Sequence, residues 1–495
     1  MYDSLRRDLL SCYGGEVPTP NFDRLSKHSV SFENNYVGSL PCMPARRELQ
    51  TGRYNFLHRY WGPMEPFDDS MPQLLKQNGI HTRLTTDHYH YLEDGGCTYH
   101  SRYSDWACYR GQAFDTWISD LSPKTNEFPP NQLNPMGMPL PQAKQRSVGC
   151  FQNMINRKVL KCDADYPMDQ TFSDGVDFIE RNGRYDNWFL QIETFDPHEP
   201  FTSPESYQAG FLSPDGMDTP DWPSYAKVAE DSETVNNVRG KYFALTAFCD
   251  AQLGRILDKM DELNLWEDTM LIVNTDHGFF LSEHDWWGKG FAPNYDELVH
   301  IPLFIWDPRS KVMGETRKSL VQTIDLAPTL LDYFEVEIPK DMEGHPLKAT
   351  IEHDEPVREY GMFGYHNSPV GITDGRYVLL RAVQDKSVTG YEYTMMPAYM
   401  RNMFSVEQIK TMKWHPGFPF TKGAPVMQIE SRMHPRFTNA QEEGEDLLFD
   451  LKTDSHQNTP IQDESIKERL LCELNRLFKI NDAPNEAYAM YGLEG

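Results

Sequence analysis

Short apolar runs that end in polar clusters recur along this chain. Three segments that lead into such clusters are His81–Thr86, Trp188–Ile192 and Met270–Val273. Continuous apolar runs of this length are typical of strands in a parallel sheet whose two faces are both buried. Open α/β sheets bind ligands beyond the carboxyl ends of their strands. We therefore expect the polar clusters that follow these strands to meet at one rim of the sheet: Asp87-His88-Tyr89-His90, Asp196-Pro197-His198 and Asp276-His277-Gly278.

Helical periodicity lies between these predicted strands. From about Val235 to Leu265, apolar residues recur at helical spacing, and this helix directly precedes the strand that begins at Met270. A helix in that position fits the crossover between two parallel strands. The segment from Ser122 to Gln145 is rich in Pro, Asn and Met and has no periodicity, so we predict a long surface insertion near the substrate entrance.

The pattern changes after about residue 355. Tyr377–Val383 is predicted to be a strand that follows a turn at Asp374-Gly375, and Leu447–Leu451 is predicted to be another. An amphipathic helix is predicted from Asp463 to Phe478. The chain is therefore expected to have an α/β domain over residues 1–355 and a smaller α+β domain over residues 356–495, with antiparallel strands and a terminal helix.

Composition narrows the class of protein. With 495 residues, 39% of them hydrophobic and 13% aromatic, the chain is globular. The formal net charge of −27 argues against a nucleic-acid partner and against an anionic membrane surface. Any cations that bind an anionic substrate must therefore be concentrated locally.

Cysteine usage and the absence of long apolar runs bear on location. The eight cysteines have no C-x-x-C pairs or regular spacing, which favours reduced thiols in a cytosol-like compartment. No apolar run is long enough to cross a membrane, and Met1 leads directly into charged residues instead of a signal-peptide core. We predict a cytoplasmic protein without a membrane span.

The segment Cys42-Met43-Pro44-Ala45-Arg46, followed by Thr51-Gly52-Arg53, has a spacing unlike that of a disulfide or a zinc site. It resembles the modification signature of the sulfatases. The resemblance implies that Cys42 is oxidised to formylglycine (3-oxoalanine), whose hydrated aldehyde is the nucleophile. It also implies a partner, the formylglycine-generating or sulfatase-maturing enzyme that carries out this oxidation.

Two further segments are similar to the metal-binding segments of the same family. Asp276-His277 is followed by Trp287-Gly288-Lys289-Gly290, in the order in which sulfatases have a metal-binding strand and a catalytic lysine. Asp3 resembles the first metal-binding residue of the family, although Ser4 stands where many members have a second acid. The resemblance implies one divalent ion, Ca²⁺ or Mn²⁺, with four ligand residues: Asp3, Cys42, Asp276 and His277.

The position of Asp3 also leads to an expectation about the start of the chain. Metal ligands of this kind follow a strand, and this sequence has hardly any residues ahead of Asp3. We expect that the first strand is truncated and that an apolar strand is encoded upstream of Met1.

The resemblance assigns roles to further residues. Arg46 would lie beside the formylglycine and the metal, and Lys289 would bind a sulfuryl or phosphoryl oxygen. His198, between two prolines, would contact the transferring group and protonate the leaving oxygen. His90 would support the formylglycine hydroxyl, and His88 would replace the lysine with which many sulfatases bind the anion.

The resemblance implies an alkaline-phosphatase-like fold, with a mostly parallel sheet flanked by helices. It favours a sulfatase, a metal-dependent hydrolase of sulfuric esters that acts on a small-molecule or saccharide sulfate. Two alternatives remain open from the sequence. One is a phosphonate monoester or phosphodiester hydrolase on the same scaffold, and the other is a catalytically inactive sulfatase-like protein.

Overall fold

The fold was analysed in a computed structural model that describes residues 1–121, 142–214, 216–431 and 445–495, with the side chains of 142–148 left out. Within these ranges, no helix is both long and apolar enough to cross a membrane. The predicted surface insertion between Ser122 and Gln145 lies outside the described residues, apart from helical backbone that begins at Gln142.

The α-helices of the described residues are α1 Pro20–His28, α2 Cys42–Thr51, α3 Met71–Gln77, α4 Gln142–Arg157, α5 Pro167–Asn182, α6 Glu205–Gln208, α7 Ser232–Glu262, α8 Asp296–Val299, α9 Leu326–Tyr333, α10 Lys348–His353, α11 Val406–Thr411, α12 Glu464–Ile480 and α13 Asn485–Tyr491.

The strands are β1 Val30–Phe32, β2 Asn35–Tyr36, β3 Ser39–Leu40, β4 His81–Thr86, β5 Asp105–Cys108, β6 Trp188–Glu193, β7 Leu271–Asn274, β8 Phe280–Leu281, β9 Trp287–Gly288, β10 Leu303–Trp306, β11 Glu315–Arg317, β12 Val321–Gln322, β13 Gly361–Tyr365, β14 Val370–Thr373, β15 Tyr377–Arg381, β16 Tyr391–Thr394, β17 Ala398–Tyr399, β18 Asn402–Met403, β19 Lys413–His415, β20 Val426–Glu430 and β21 Leu447–Asp450.

The central strands form two groups joined by the first residues of the chain. In one group β4 lies between β5 and β6, and all three strands are parallel. In the other the order is β11-β1-β10-β7, with β10 antiparallel to both of its neighbours. Tyr2 forms a parallel bridge with Thr275, just after β7, and the amide of Thr194, just after β6, donates to the carbonyl of Met1. The carboxyl ends of β4, β6 and β7 therefore lie along one rim, as the apolar runs predict.

Helices cover both faces of these strands. On one face, the long helix α7 packs against α1 and α5 around a buried cluster that includes Phe22 and Phe248. On the other face, α9 packs against α2 and α3. The expected α/β architecture is confirmed, and α7 occupies the range predicted from its periodicity to within a few residues.

A second sheet, with the order β21-β15-β14-β13-β3, is built mainly from the C-terminal part of the chain. Its strands β13, β14, β15 and β21 are antiparallel, and α12 packs its buried leucines against them. The strand β3 joins the edge of this sheet in parallel with β13 and ends just before Cys42. The second sheet therefore supports the approach to α2. The domain boundary near residue 355 stays a prediction.

Candidate active site

Four potential metal ligands meet at the rim where β6 and β7 end. Asp3 follows the bridged residue Tyr2, Asp276 and His277 follow β7, and Cys42 is the first residue of α2. One ligand atom from each of these four residues lies within 4.8 Å of the other three, and all four residues are buried. The structure thus places the four sequence-predicted ligands in one cluster.

Cys42 lies in the first turn of α2 with its thiol directed into this cluster. Its Sγ is 3.4 Å from Nε2 of His277 and 3.3 Å from Nζ of Lys289. Burial, together with the negative charge of Asp3, raises the pKa of the Cys42 thiol well above its ordinary value. Because the thiolate is the reactive form of cysteine, an unmodified Cys42 is a poor nucleophile at neutral pH.

Arg46, one turn further along α2, connects the carboxylates of the site. Its Nη1 donates to the Cys42 carbonyl at 3.0 Å and to Oδ2 of Asp276 at 2.6 Å. Its Nε donates to Oε1 of Glu193 at 2.7 Å, and its Nη2 lies 3.1 Å from Oδ2 of Asp3. A buried guanidinium that faces three carboxylates lowers the cost of burying their charges.

Asp3 and Asp276 differ in the direction of their pKa shifts. Burial and the neighbouring charge of Asp3 raise the pKa of Asp276 to about 8. Burial would also raise the pKa of Asp3, but Lys289 and Arg46 outweigh it and hold that pKa well below its ordinary value. Two buried carboxylates this close together disfavour double ionisation unless more positive charge is present. A divalent cation would supply that charge.

Lys289 places an ammonium group beside Cys42. Its Nζ donates to Oγ of Ser4 at 3.3 Å and lies 3.9 Å from Oδ1 of Asp3. Burial lowers the pKa of Lys289, but the neighbouring Cys42 and Asp3 raise it to about 12, so the side chain is charged. The flanking Gly288 and Gly290 have φ values of 87° and 84°, which glycine adopts without strain.

His88 contacts the metal-ligand cluster through Asp3. Its Nε2 lies 3.0 Å from Oδ2 of Asp3, while its Nδ1 has no hydrogen-bond partner among the described residues. Burial, with a contribution from Arg46, lowers the pKa of His88 to about 4. The neutral imidazole therefore donates to Asp3 and orients this carboxylate, as residues behind a metal ligand commonly do. Its predicted role in anion binding stays a prediction.

His90 and His198 lie on the two loops that border the cluster. The ring centroid of His90 is 5.1 Å from that of His88, its Nδ1 is hydrogen bonded to Glu93, and its ring packs edge-on against Trp61. His198 donates from Nδ1 to the Glu199 carbonyl at 2.6 Å. Burial and the positive charge of Lys289 lower the pKa of His198 well below its ordinary value. An anion bound near His198 would favour its protonated form.

Glu193 and Ser4 also belong to the site, although the sequence did not single out Glu193. The Glu193 carboxylate accepts hydrogen bonds from Arg46, from the Tyr91 hydroxyl at 2.9 Å and from Nε2 of Gln191 at 2.7 Å. The Ser4 hydroxyl donates to Oδ1 of Asp3 at 2.7 Å. The available signal for Glu193 was one acid at the end of an apolar strand.

The chain is similar to known proteins over most of its length. The family model described as Sulfatase matches residues 1–336, and a second model, N-sulphoglucosamine sulphohydrolase, C-terminal, matches residues 282–415. An arylsulfatase of Clostridium perfringens is 24% identical over 77% of this chain and 83% of its own. An N-acetylglucosamine-6-O-sulfatase of Bacteroides thetaiotaomicron is also 24% identical, over 82% of this chain and 81% of its own.

Solved structures share the fold. A protein in complex with its substrate D-glucosamine-2-N,6-O-disulfate superposes with a TM-score of 0.65, at 16% identity over 98% of both chains. A phosphonate monoester hydrolase of Agrobacterium radiobacter superposes with a TM-score of 0.62, at 19% identity over 97% of this chain and 94% of its own.

Proposed function

Because this chain belongs to the sulfatase family, we propose that it hydrolyses sulfuric esters and that its substrate is a sulfated saccharide. The observation that carries this proposal is the position of Cys42, whose Sγ lies between a charged lysine and a cluster of metal-ligand residues. The saccharide class is supported by the N-acetylglucosamine-6-O-sulfatase and the glucosamine disulfate complex among the similar proteins.

The residues present fit the two groups that the family implies, a divalent metal and formylglycine. Asp3, Asp276, His277 and the modified Cys42 would hold the ion, whose charge would offset the burial and the repulsion by Asp3 that together raise the pKa of Asp276. An oxygen-rich ligand set with one imidazole suits Ca²⁺ or Mn²⁺, and the imidazole favours Mn²⁺. When bound, the metal offsets negative charge on the ester oxygens, and formylglycine supplies a hydroxyl nucleophile that an unmodified cysteine lacks.

The side chains of this protein would bind and orient the ester. Lys289 and Arg46 are fixed cations at the two sides of Cys42 and would hold sulfate oxygens, so that charge developing on them is stabilised. His198, protonated once the anionic ester is bound, would give a proton to the leaving alcohol. His88 would hold Asp3 in place, and Glu193 would do the same for Arg46.

A cytoplasmic location is part of this proposal. The described residues include all eight cysteines, and none of these forms a disulfide. This supports the cytoplasmic location, because disulfides are rare in that compartment. Fractionation of the native host tests the proposed location. Recovery of the protein only in an exported fraction would be the contrary result.

The function is tested by mass spectrometry of the peptide that contains Cys42, combined with parallel assays. We expect the peptide mass to show the aldehyde in protein made with a maturing enzyme, and we expect turnover of aryl sulfates and sulfated glucosamines. Cys42→Ala should remove turnover while the protein stays folded. Preferred turnover of phosphonate monoesters would replace the sulfatase proposal with the alternative hydrolase. An unmodified Cys42 in fully active protein would refute the nucleophile.

A further inference from the structure

The Nδ1 atom of His90 is hydrogen bonded to a side-chain carboxylate, Oε2 of Glu93. The corresponding atom of His277 is bonded instead to a backbone carbonyl, that of Gly278. A carboxylate on Nδ1 holds the imidazole proton on that atom and makes Nε2 the more basic acceptor. His90 is therefore arranged to accept a proton at Nε2.

Glu93 is held on its other oxygen by Arg401, a residue of the C-terminal part of the chain. Nε of Arg401 donates to Oε1 of Glu93 at 2.7 Å, and its Nη2 donates to the Tyr89 hydroxyl at 2.8 Å. The guanidinium carbon also lies 4.7 Å from the centroid of the Phe114 ring. Burial raises the pKa of Glu93, but the hydrogen bond from His90 and the charge of Arg401 outweigh it and lower that pKa. Glu93 is thus an ionised carboxylate with one donor on each oxygen.

The turn between β17 and β18, which carries Arg401, packs against the segment that follows His90. The Gly95 amide donates to the Met400 carbonyl at 2.6 Å, and the Met400 amide donates to the Trp61 carbonyl at 3.4 Å. A Cβ atom at Gly95 would lie 2.4 Å from the Met400 nitrogen, so the glycine permits this close approach. Trp61 in turn packs edge-on against His90. The hairpin therefore contacts the surroundings of the His90 ring through its backbone as well as through Arg401.

We propose that Glu93 and Arg401 are positioning residues for His90: Glu93 fixes the proton on Nδ1, and Arg401 fixes Glu93. This inference rests on the proposed sulfatase function, in which His90 supports the formylglycine hydroxyl. The ion pair between Arg401 and Glu93 is partly exposed to solvent, so its contribution to the stability of the fold is small. Its main effect would be on the orientation and basicity of His90, and the C-terminal hairpin would thereby complete the active site.

The groups around His90 predict opposite effects of the two substitutions on its pKa. Burial lowers the pKa of His90, Glu93 raises it and Arg401 lowers it. Glu93→Gln should therefore lower the pKa of His90 further, whereas Arg401→Gln should raise it. The other titratable groups that face His90, unchanged in both variants, are Asp3, His88, Tyr89 and His198.

The first experiment measures kcat and KM for an aryl sulfate against pH, in matured and metal-loaded protein. At pH 7 we expect kcat to fall about 100-fold in Glu93→Gln, because the amide can donate to Nδ1 and so stabilise the tautomer with its proton on Nε2. In Arg401→Gln, kcat should fall about 3- to 10-fold. The acid limb of the kcat profile should move to lower pH in Glu93→Gln and to higher pH in Arg401→Gln.

Arg376→Gln is the matched control for the loss of an arginine. It breaks a similarly exposed ion pair, with Asp450 of the second sheet, and should have wild-type kinetics. A raised KM with unchanged kcat in Arg401→Gln would overturn the proposal, because Arg401 would then be a substrate ligand. Acid limbs that stay in place, or that move in the same direction in both variants, would overturn it as well.

The second experiment determines the tautomer of His90 by nitrogen NMR spectroscopy of the histidine side chains, with His90→Gln to identify the signals. We expect the form protonated on Nδ1 in the wild type, and a form protonated on Nε2 would overturn the proposal. This measurement does not depend on turnover. An Nδ1-protonated His90 in a wild type that hydrolyses no aryl sulfate would therefore contradict the proposed function and support the positioning of His90.

Discussion

At the scale of single residues, Glu193 orients Arg46, one of the buried cations of the site. Its Oε1 accepts from Nε of Arg46, and its Oε2 accepts from Nε2 of Gln191 and from the Tyr91 hydroxyl. Burial raises the pKa of Glu193, but the charge of Arg46 and the hydrogen bonds from Arg46 and Tyr91 outweigh it and lower that pKa, so the group is an ionised carboxylate. Arg46 can face Cys42 and Asp276 because a second, independent charge anchors its other edge.

We expect Glu193→Gln to lower kcat/KM for an aryl sulfate roughly 10- to 100-fold. The introduced amide has only one acceptor oxygen, so its N–H group would face a donor, either that of Arg46 or those of Gln191 and Tyr91, and Arg46 would lose its charge partner. The measurement is steady-state kinetics together with Tm. Glu180→Gln, which alters an exposed carboxylate paired with Lys259, is the matched control and should have wild-type kinetics. Unchanged kcat/KM in Glu193→Gln would contradict a positioning role.

His366, which follows β13, is the residue from which we predict a pH dependence of stability. Its Nδ1 donates to the Phe56 carbonyl at 2.7 Å, its Nε2 accepts from Asn367 at 2.9 Å, and burial lowers its pKa from 6.5 to about 4. Between these two pH values the unfolded chain binds more protons than the folded one. The stability that His366 contributes is therefore complete above about pH 6.5 and is lost as the pH falls towards 4, by up to about 3 kcal/mol.

The measurement is urea unfolding at several pH values for the wild type and for His366→Asn, whose amide can still donate to the Phe56 carbonyl. Other buried histidines also weaken the fold in acid, so the relevant quantity is the difference between the two proteins. That difference should shrink as the pH falls from 6.5 to 4. Parallel pH profiles would show that the imidazole of His366 does not titrate in this window.

At the scale of elements, α12 holds the second sheet in place. Leu474 is fully buried in a cluster between this helix and the sheet, whereas Ile480 at the end of the same helix is half exposed. We expect Leu474→Ala to destabilise the protein by about 2–5 kcal/mol through lost burial and a residual cavity. Ile480→Ala should change stability by about 0.5 kcal/mol or less. Thermal unfolding of both variants checks this, and equal Tm values would mean that α12 contributes little to the cooperative unit.

Elements with a strong local sequence pattern could be predicted from the sequence. Elements defined by pairing with strands far along the chain could not. Local patterns predicted the strands β4, β6 and β7 and the helix α7. The structure confirms these four elements. The antiparallel direction of β10 and the addition of the two-residue β3 to the second sheet depend on partners far along the chain. No local pattern encodes such pairings.

The same distinction holds within the site. Cys42, Asp276 and Lys289 lie in segments that resemble family motifs, and the structure brings their side chains together. Glu193 had no motif around it, and its contact with Arg46 joins residues 147 positions apart. The hydrogen bond between His88 and Asp3 likewise depends on two loops that come together at the sheet rim. Residues that orient other side chains are thus harder to predict than residues that lie in a motif with a characteristic spacing.

At the scale of the whole molecule, the net charge of −27 and the preference for an anionic ester are compatible because the cations are local. Arg46 and Lys289 are both buried beside Cys42, where a low dielectric strengthens their interaction with an anion. The same cluster contains the ionised carboxylates of Asp3 and Glu193 as well as the carboxyl group of Asp276, so the protein alone does not provide a surplus of positive charge at this point. A divalent ion would contribute the missing positive charge. Metal binding should therefore affect the stability of the folded protein as well as its activity.

We therefore expect chelation to lower both turnover and Tm. A ligand that binds only the folded state stabilises it by an amount that grows with its free concentration, so Tm should rise as Mn²⁺ or Ca²⁺ is added back. In the metal-free protein the pKa of Asp276 is raised to about 8, so binding at pH 7 should release close to one proton, measurable in a weakly buffered solution. Asp276→Asn should lose most of the proton release and the metal-dependent rise in Tm. Chelation that removes bound metal without changing the Tm of the wild type would contradict a metal held by Asp3, Asp276 and His277.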